Sequence, residues 1–119
     1  MHPEGPITGA FPGVYFTLLI DRKIMDVDEK FYERADAHIN LSNEQLKEVG
    51  LIKVNDSMMY ALVRFNAWVS ANGFDSAQEM SAAREEIIDH FSIQYRKMLE
   101  ENLDNYIANF DKFMDMSNQ

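Results

Sequence analysis

Apolar residues return every three or four positions through most of this chain, the spacing that places them on one stripe of an α-helix. Phe31, Ala35, His38, Ile39, Ser42, Leu46 and Val49 make the first such stripe. Asp26, Asp28 and Glu29 precede it, where the positive end of a helix dipole favours acids. Gly50 follows it, where a C-cap accepts a residue tolerant of positive φ. The pattern predicts a first helix over residues 28–49. Asn55, Asp56 and Ser57 offer an N-cap for a second, whose apolar face is Met58, Ala61, Leu62, Phe65, Trp68 and Val69, and Gly73 ends it. The third start has the clearest signature. Ser76-Ala77-Gln78-Glu79 is a capping-box pattern, in which Ser76 and Glu79 can satisfy each other's free amides.

The stripe that follows is long: Ile88, Phe91, Tyr95, Leu99, Leu103, Tyr106, Phe110 and Phe113, with no proline or glycine among them. Unbroken from 76 to 114, such a helix would reach roughly 58 Å, about twice what helices of about 22 and 17 residues could cover. The flanking apolar residues also change side. Met80, Ile87 and Met98 widen one edge, whereas Leu103, Ile107 and Met114 widen the other. The expected fold is all-α, a small antiparallel bundle of three helices. The third helix either kinks or breaks near Glu100-Glu101-Asn102 into a fourth, or sends its last third out to meet another surface.

The N-terminus follows different rules. Pro3, Pro6 and Pro12 are the chain's three prolines, and Gly5, Gly9 and Gly13 are interleaved with them. The apolar run from Val14 to Ile20 is followed, not preceded, by its charges Asp21, Arg22 and Lys23. It falls well short of the roughly 20 apolar residues a spanning helix needs, and neither an anchor nor a secretory signal fits. Residues 1–24 read as an extension, either flexible or preceding a true start at Met25, and residues 25–119 as the helical domain.

With 46% hydrophobic and 12% aromatic residues the chain can bury a core. Its 11 Lys+Arg against 20 Asp+Glu give a formal charge of −9, so phosphate backbones and anionic bilayers would repel it; neither nucleic acid nor a membrane is an expected partner. The absence of cysteine removes disulfides, thiolate metal sites and cysteine nucleophiles together, and is compatible with a reduced, cytoplasmic compartment.

Helical bundles build dinuclear metal sites from Glu-x-x-His pairs, which need a carboxylate three residues before each histidine. Before His38 that position is Ala35, and before His90 it is Ile87. The acids around Asp26 do not begin a calcium loop, since the required glycine and terminal glutamate are replaced by Phe31 and Ala37. No Gly-x-Ser-x-Gly elbow or glycine-rich phosphate loop occurs. No catalytic, cofactor-binding or metal residue is therefore expected. The alternative is a ligand- or metal-assisted activity using Glu86, Asp89 and His90 with Asp36, Arg64 or Asn66 from facing helices.

Three stretches carry a resemblance: Phe31-Tyr32-Glu33-Arg34-Ala35-Asp36; Met59-Tyr60-Ala61 with Arg64-Phe65-Asn66-Ala67; and Tyr95-Arg96-Lys97-Met98-Leu99-Glu100-Glu101-Asn102-Leu103-Asp104. Together they resemble a family of small, acidic, uncharacterised proteobacterial proteins, a domain of unknown function, over about residues 26–114. The resemblance implies a compact helical bacterial protein and carries over no activity or catalytic residue. The expected function is that of a non-enzymatic interaction protein. Its candidate contact residues are Tyr106, Ile107, Phe110, Phe113 and Met114, and its partner is a second copy in a homodimer or another, unidentified protein.

Overall fold

The computed structural model describes residues 27–117, and these are all-α. The five helices are α1 (Phe31–Gln45), α2 (Leu51–Ala71), α3 (Ala77–Ala82), α4 (Arg84–Ala108) and α5 (Phe110–Ser117). The chain divides between Ala82 and Ala83 into two units, with α1 to α3 in the first and α4 and α5 in the second. The expected extension over 1–24 and the expected start at Met25 lie outside the described residues.

The first helix begins three residues later than its acids suggest, because Asp28 organises a turn ahead of it. Its Oδ1 accepts the Lys30 amide at 2.9 Å and its carbonyl accepts the Phe31 amide at 3.1 Å, a local pattern that competes with helix. The guanidinium of Arg34, one turn into α1, closes on both Asp28 oxygens at 3.3 and 2.8 Å. That pairing, with the Lys30 amide, holds the Asp28 carboxyl below its ordinary pKa. A carboxylate with a lowered native pKa stabilises above its unfolded pKa and ceases to do so as pH falls through the native one. Arg34→Gln should therefore raise the Asp28 titration midpoint toward the usual carboxylate range, followed by its side-chain carbon shift in NMR. An unmoved midpoint would mean the pair does not persist in solution.

Gly50 belongs to the second helix, not the first. At φ −74° and ψ 167° it is an extended N-cap for α2, and no positive φ is involved. The second helix consequently starts at Leu51, upstream of the Asn55-Asp56-Ser57 cluster that the sequence offers as its cap. Ser57 instead turns its hydroxyl back to the Val54 carbonyl at 3.1 Å inside the helix. A glycine N-cap leaves the free amides of the first turn without a side-chain acceptor, and a Cβ built at Gly50 meets nothing within 4 Å. Gly50→Ser should raise stability by a few tenths to about 1 kcal/mol in urea denaturation. A loss would mean the hydroxyl cannot reach the first-turn amides.

α1 and α2 run antiparallel. Ser42 and Met58 stand equally far from Gly50 along the chain, and the Ser42 hydroxyl meets the Met58 sulfur at 3.3 Å. Within α2, Val54 is 5% exposed and Ser70 fully buried, the latter with its hydroxyl on the Asn66 carbonyl at 2.8 Å. The remaining apolar face is only partly covered. Met58, Leu62 and Phe65, which the sequence assigns to the core, are 40%, 44% and 47% exposed.

α3 starts where the capping signature places it, with the Ser76 hydroxyl accepting the Glu79 amide at 3.1 Å. It then stops after six residues at Ala83, whose φ −97° and ψ 4° separate it from α4. Nothing in the local propensities explains that break, since alanine is the best helix former. The other interruption is also displaced from its expected place. α4 runs without a break through Glu100-Glu101-Asn102, and the chain turns instead at Asn109, with φ −124° and ψ 28°. The expected third helix, kinked or broken near Glu100-Asn102 or continuing out of the bundle, is corrected to two breaks, at Ala83 and Asn109, which make five helices among the described residues. The Asn109 side-chain amide donates to the Asn105 carbonyl and to the Asn105 side-chain oxygen, at 2.9 and 3.0 Å. Such side-chain bonding to the preceding turn offers the backbone an alternative to continued helix. Asn102 makes one bond of the same type, to the Met98 carbonyl at 2.8 Å, without interrupting α4.

Candidate functional site

The candidate surface lies in the second unit: Leu99, Leu103, Tyr106 and Ile107 share a face of α4 by helical spacing, and Phe110 and Met114, one turn apart, share a face of α5 beyond the turn at Asn109. Leu99, Leu103, Tyr106, Ile107, Phe110 and Met114 have exposures of 42%, 51%, 49%, 73%, 58% and 37%. Four of the five residues singled out from the sequence are therefore open to solvent. The fifth, Phe113, is less open. Its ring meets Tyr106 edge-on with centroids 5.0 Å apart, although seven residues separate them. In a straight helix two turns would put roughly 10 Å between those positions. The turn at Asn109 is what closes the distance. The break thus folds α5 toward the Tyr106 side, and Ile107 and Phe110 are 73% and 58% exposed.

The sequence places Leu99 and Leu103 on the same stripe but assigns them to packing within a bundle. Their exposure extends the surface by more than one helical turn toward the N-terminus of α4. No local signal announces this, because periodicity tells which residues share a face and not what that face meets.

The rim of the surface is asymmetric. Glu100 and Asp104, one turn apart, lie along one edge of the apolar stripe of α4 with Lys97, seven residues before Asp104, and Asp111 and Asp115 stand one turn apart on α5. Asp104 lies three residues before Ile107, and Asp111 lies four after it and three before Met114. All four acids are exposed. Glu100 pairs with Arg96 at 3.2 Å, and among the described residues no ion pair engages Asp104, Asp111 or Asp115. The opposite edge carries Asn102, Asn105 and Asn109, whose amides make the intrahelical bonds described above.

The residues of the alternative, enzymatic reading are divided between the units. Asp36 and His38 lie on α1 and Arg64 and Asn66 on α2, whereas Glu86, Asp89 and His90 lie on α4. His38 is exposed, and the His90 ring stands edge-on to Phe91 at 4.9 Å. Among the described residues no three His, Asp or Glu side chains gather in a way that could hold a metal ion.

Comparison with known proteins bears on what this surface belongs to. Residues 31–107 match the family described as "Protein of unknown function (DUF3144)". The chain belongs to the DUF3144 family. The family match takes in α1 to α3 and nearly all of α4, and it ends at Ile107, within the exposed surface. A solved structure is similar over a longer stretch. The NMR structure of a Shewanella protein is 33% identical, with a TM-score of 0.62, over 77% of this chain and 98% of the other. The resemblance read from the sequence, to small proteobacterial proteins of unknown function, agrees with both findings. No curated protein matches the DUF3144 chain. Among its described residues no helix is long and apolar enough to cross a membrane.

Proposed function

We propose that this DUF3144 chain is a non-enzymatic interaction protein of the bacterial cytoplasm that works through the apolar face of α4 and α5. The observation that supports this reading is that Leu99, Leu103, Tyr106 and Ile107 on α4 and Phe110 and Met114 on α5 are each more than a third exposed. Six half-exposed side chains of this size present roughly 400–500 Å² of apolar surface, within the range where the largest patch on a monomer is often functional. In water each of them loses stabilisation that burial against a partner would restore, at about 25 cal/mol per Å² before the costs of association.

For the isolated chain the available partner is a second copy. Two such faces together would bury about 1,000 Å², at the low end for a specific interface, so the self-association is reversible and weak. Light scattering over a concentration series should show a molar mass rising from monomer toward dimer, and raising ionic strength should favour the dimer by screening the like charges of two acidic chains. A constant monomer mass at every concentration would remove the homotypic part of this reading.

A further inference from the structure

The turn at Asn109 interrupts a pattern that the sequence carries straight through it. Leu99, Leu103, Tyr106, Phe110 and Phe113 follow one another at steps of four, three, four and three. On one continuous helix those five would fall within about 80° of arc. The backbone divides them instead, three on α4 and two on α5, with Asn109 between them at φ −124° and ψ 28°. No proline or glycine imposes the division, since none occurs after Gly73. What holds the bend is local. The Asn109 side-chain amide donates to the Asn105 carbonyl and side-chain oxygen at 2.9 and 3.0 Å, and the Phe113 ring rests edge-on against Tyr106 at 5.0 Å. The backbone on either side is already close to helical. The Asn109 amide donates to the Asn105 carbonyl at 3.1 Å and the Phe113 amide to the Asn109 carbonyl at 3.0 Å, both at the spacing of an α-helix. Straightening exchanges side-chain bonds and one ring contact for continued helix, and hydrogen bonds of either kind contribute similar small net amounts in water, so neither form holds a large advantage.

We propose that Asn109 is a hinge, at which residues 84–117 exchange between the bent form and one continuous helix that gathers Leu99, Leu103, Tyr106, Phe110 and Phe113 into a single stripe. Bending shelters Phe113 against Tyr106. Straightening parts the two rings and lines them up with Phe110, so a second copy that buries the assembled stripe draws the population toward the straight form, and dilution returns it to the bent one. The exchange itself needs no partner; selection of the straight form by self-association rests on the interaction reading above.

NMR of the full chain and of Asn109→Ala, both at low concentration, separates the two forms. Alanine removes both side-chain bonds and is the better helix former. The parent should show a cross-peak between the Tyr106 and Phe113 rings. In Asn109→Ala that cross-peak should be lost, because two turns of straight helix set those positions roughly 10 Å apart, and the Cα shift of residue 109 should move to a helical value. Asn102→Ala removes the single bond of the same type inside α4 and should leave the cross-peak in place. Phe113→Leu, which removes the ring and keeps an apolar side chain, should move the Asn109 Cα shift toward the helical value, and it serves equally well if the alanine variant fails to fold. A ring cross-peak retained in Asn109→Ala, or lost equally in Asn102→Ala, would overturn the hinge, as would an Asn109 Cα shift unmoved in Phe113→Leu. Light scattering should show Asn109→Ala associating at concentrations at least about threefold lower than the parent, because none of it is held in the bent form. If that variant straightens without any gain in self-association, selection by a second copy fails while the hinge stands.

Discussion

Replacing Ile107 and Phe110 together by aspartate should leave a folded monomer whose tendency to self-associate has dropped by about 100-fold or more, the scale of losing two central apolar contacts. The pair is chosen from their exposures of 73% and 58%, which make them the two most open apolar side chains of the candidate surface. Phe113 is the poorer choice although the sequence singles it out equally, because its ring packs on Tyr106 and an aspartate there would disturb the turn at Asn109. Circular dichroism of the double variant should match that of the parent, and light scattering should report monomer where the parent is partly dimeric. A large loss of helical signal would show instead that these side chains are covered within the chain.

The second large effect concerns the hairpin. Val54 and Ile52 are two residues apart in the same helix, yet Val54 is 5% exposed and Ile52 is 72% exposed. Val54→Asp would place an unpaired carboxylate in an apolar site, and should destabilise the first unit by roughly 3 kcal/mol or more, a large part of a small domain's total stability. Ile52→Asp should change stability by no more than about 0.5 kcal/mol, as surface substitutions do. Urea denaturation followed by circular dichroism separates the two. Equal losses would mean that α2 turns a different face inward.

The contrast between those neighbours also shows where sequence reasoning succeeds and where it stops. Helical class, the Ser76 start and the long stripe of α4 were all legible, because each depends on local spacing or capping chemistry. Gly50 was misread because a glycine serves equally as the end of one helix and the beginning of the next; only its φ of −74° decides between them. The third helix was expected to kink or break near Glu100-Asn102 or to run on past the bundle, and its later break falls at Asn109 instead. Both residues bond back to the preceding turn, but Asn109 makes two such contacts with Asn105. The break at Ala83 left no trace in the sequence at all. Of the candidate surface, Tyr106, Ile107, Phe110 and Met114 were singled out from the length of the stripe, and each is more than a third exposed. The exposure of Leu99 and Leu103 was not, since burial depends on what other elements cover and periodicity is silent on that.

A charge of −9 reads from composition as a solvated surface, and it makes phosphate backbones and anionic bilayers unexpected partners without naming an expected one. The central claim, that the α4–α5 face is where this protein meets others, is tested most directly by amide NMR spectra of the full chain at increasing concentration. Concentration-dependent shifts should fall on residues from Leu99 to Met114, centred on Ile107 and Phe110, with α1 and α2 unmoved. Shifts confined to α1 and α2, or spectra independent of concentration, would contradict it.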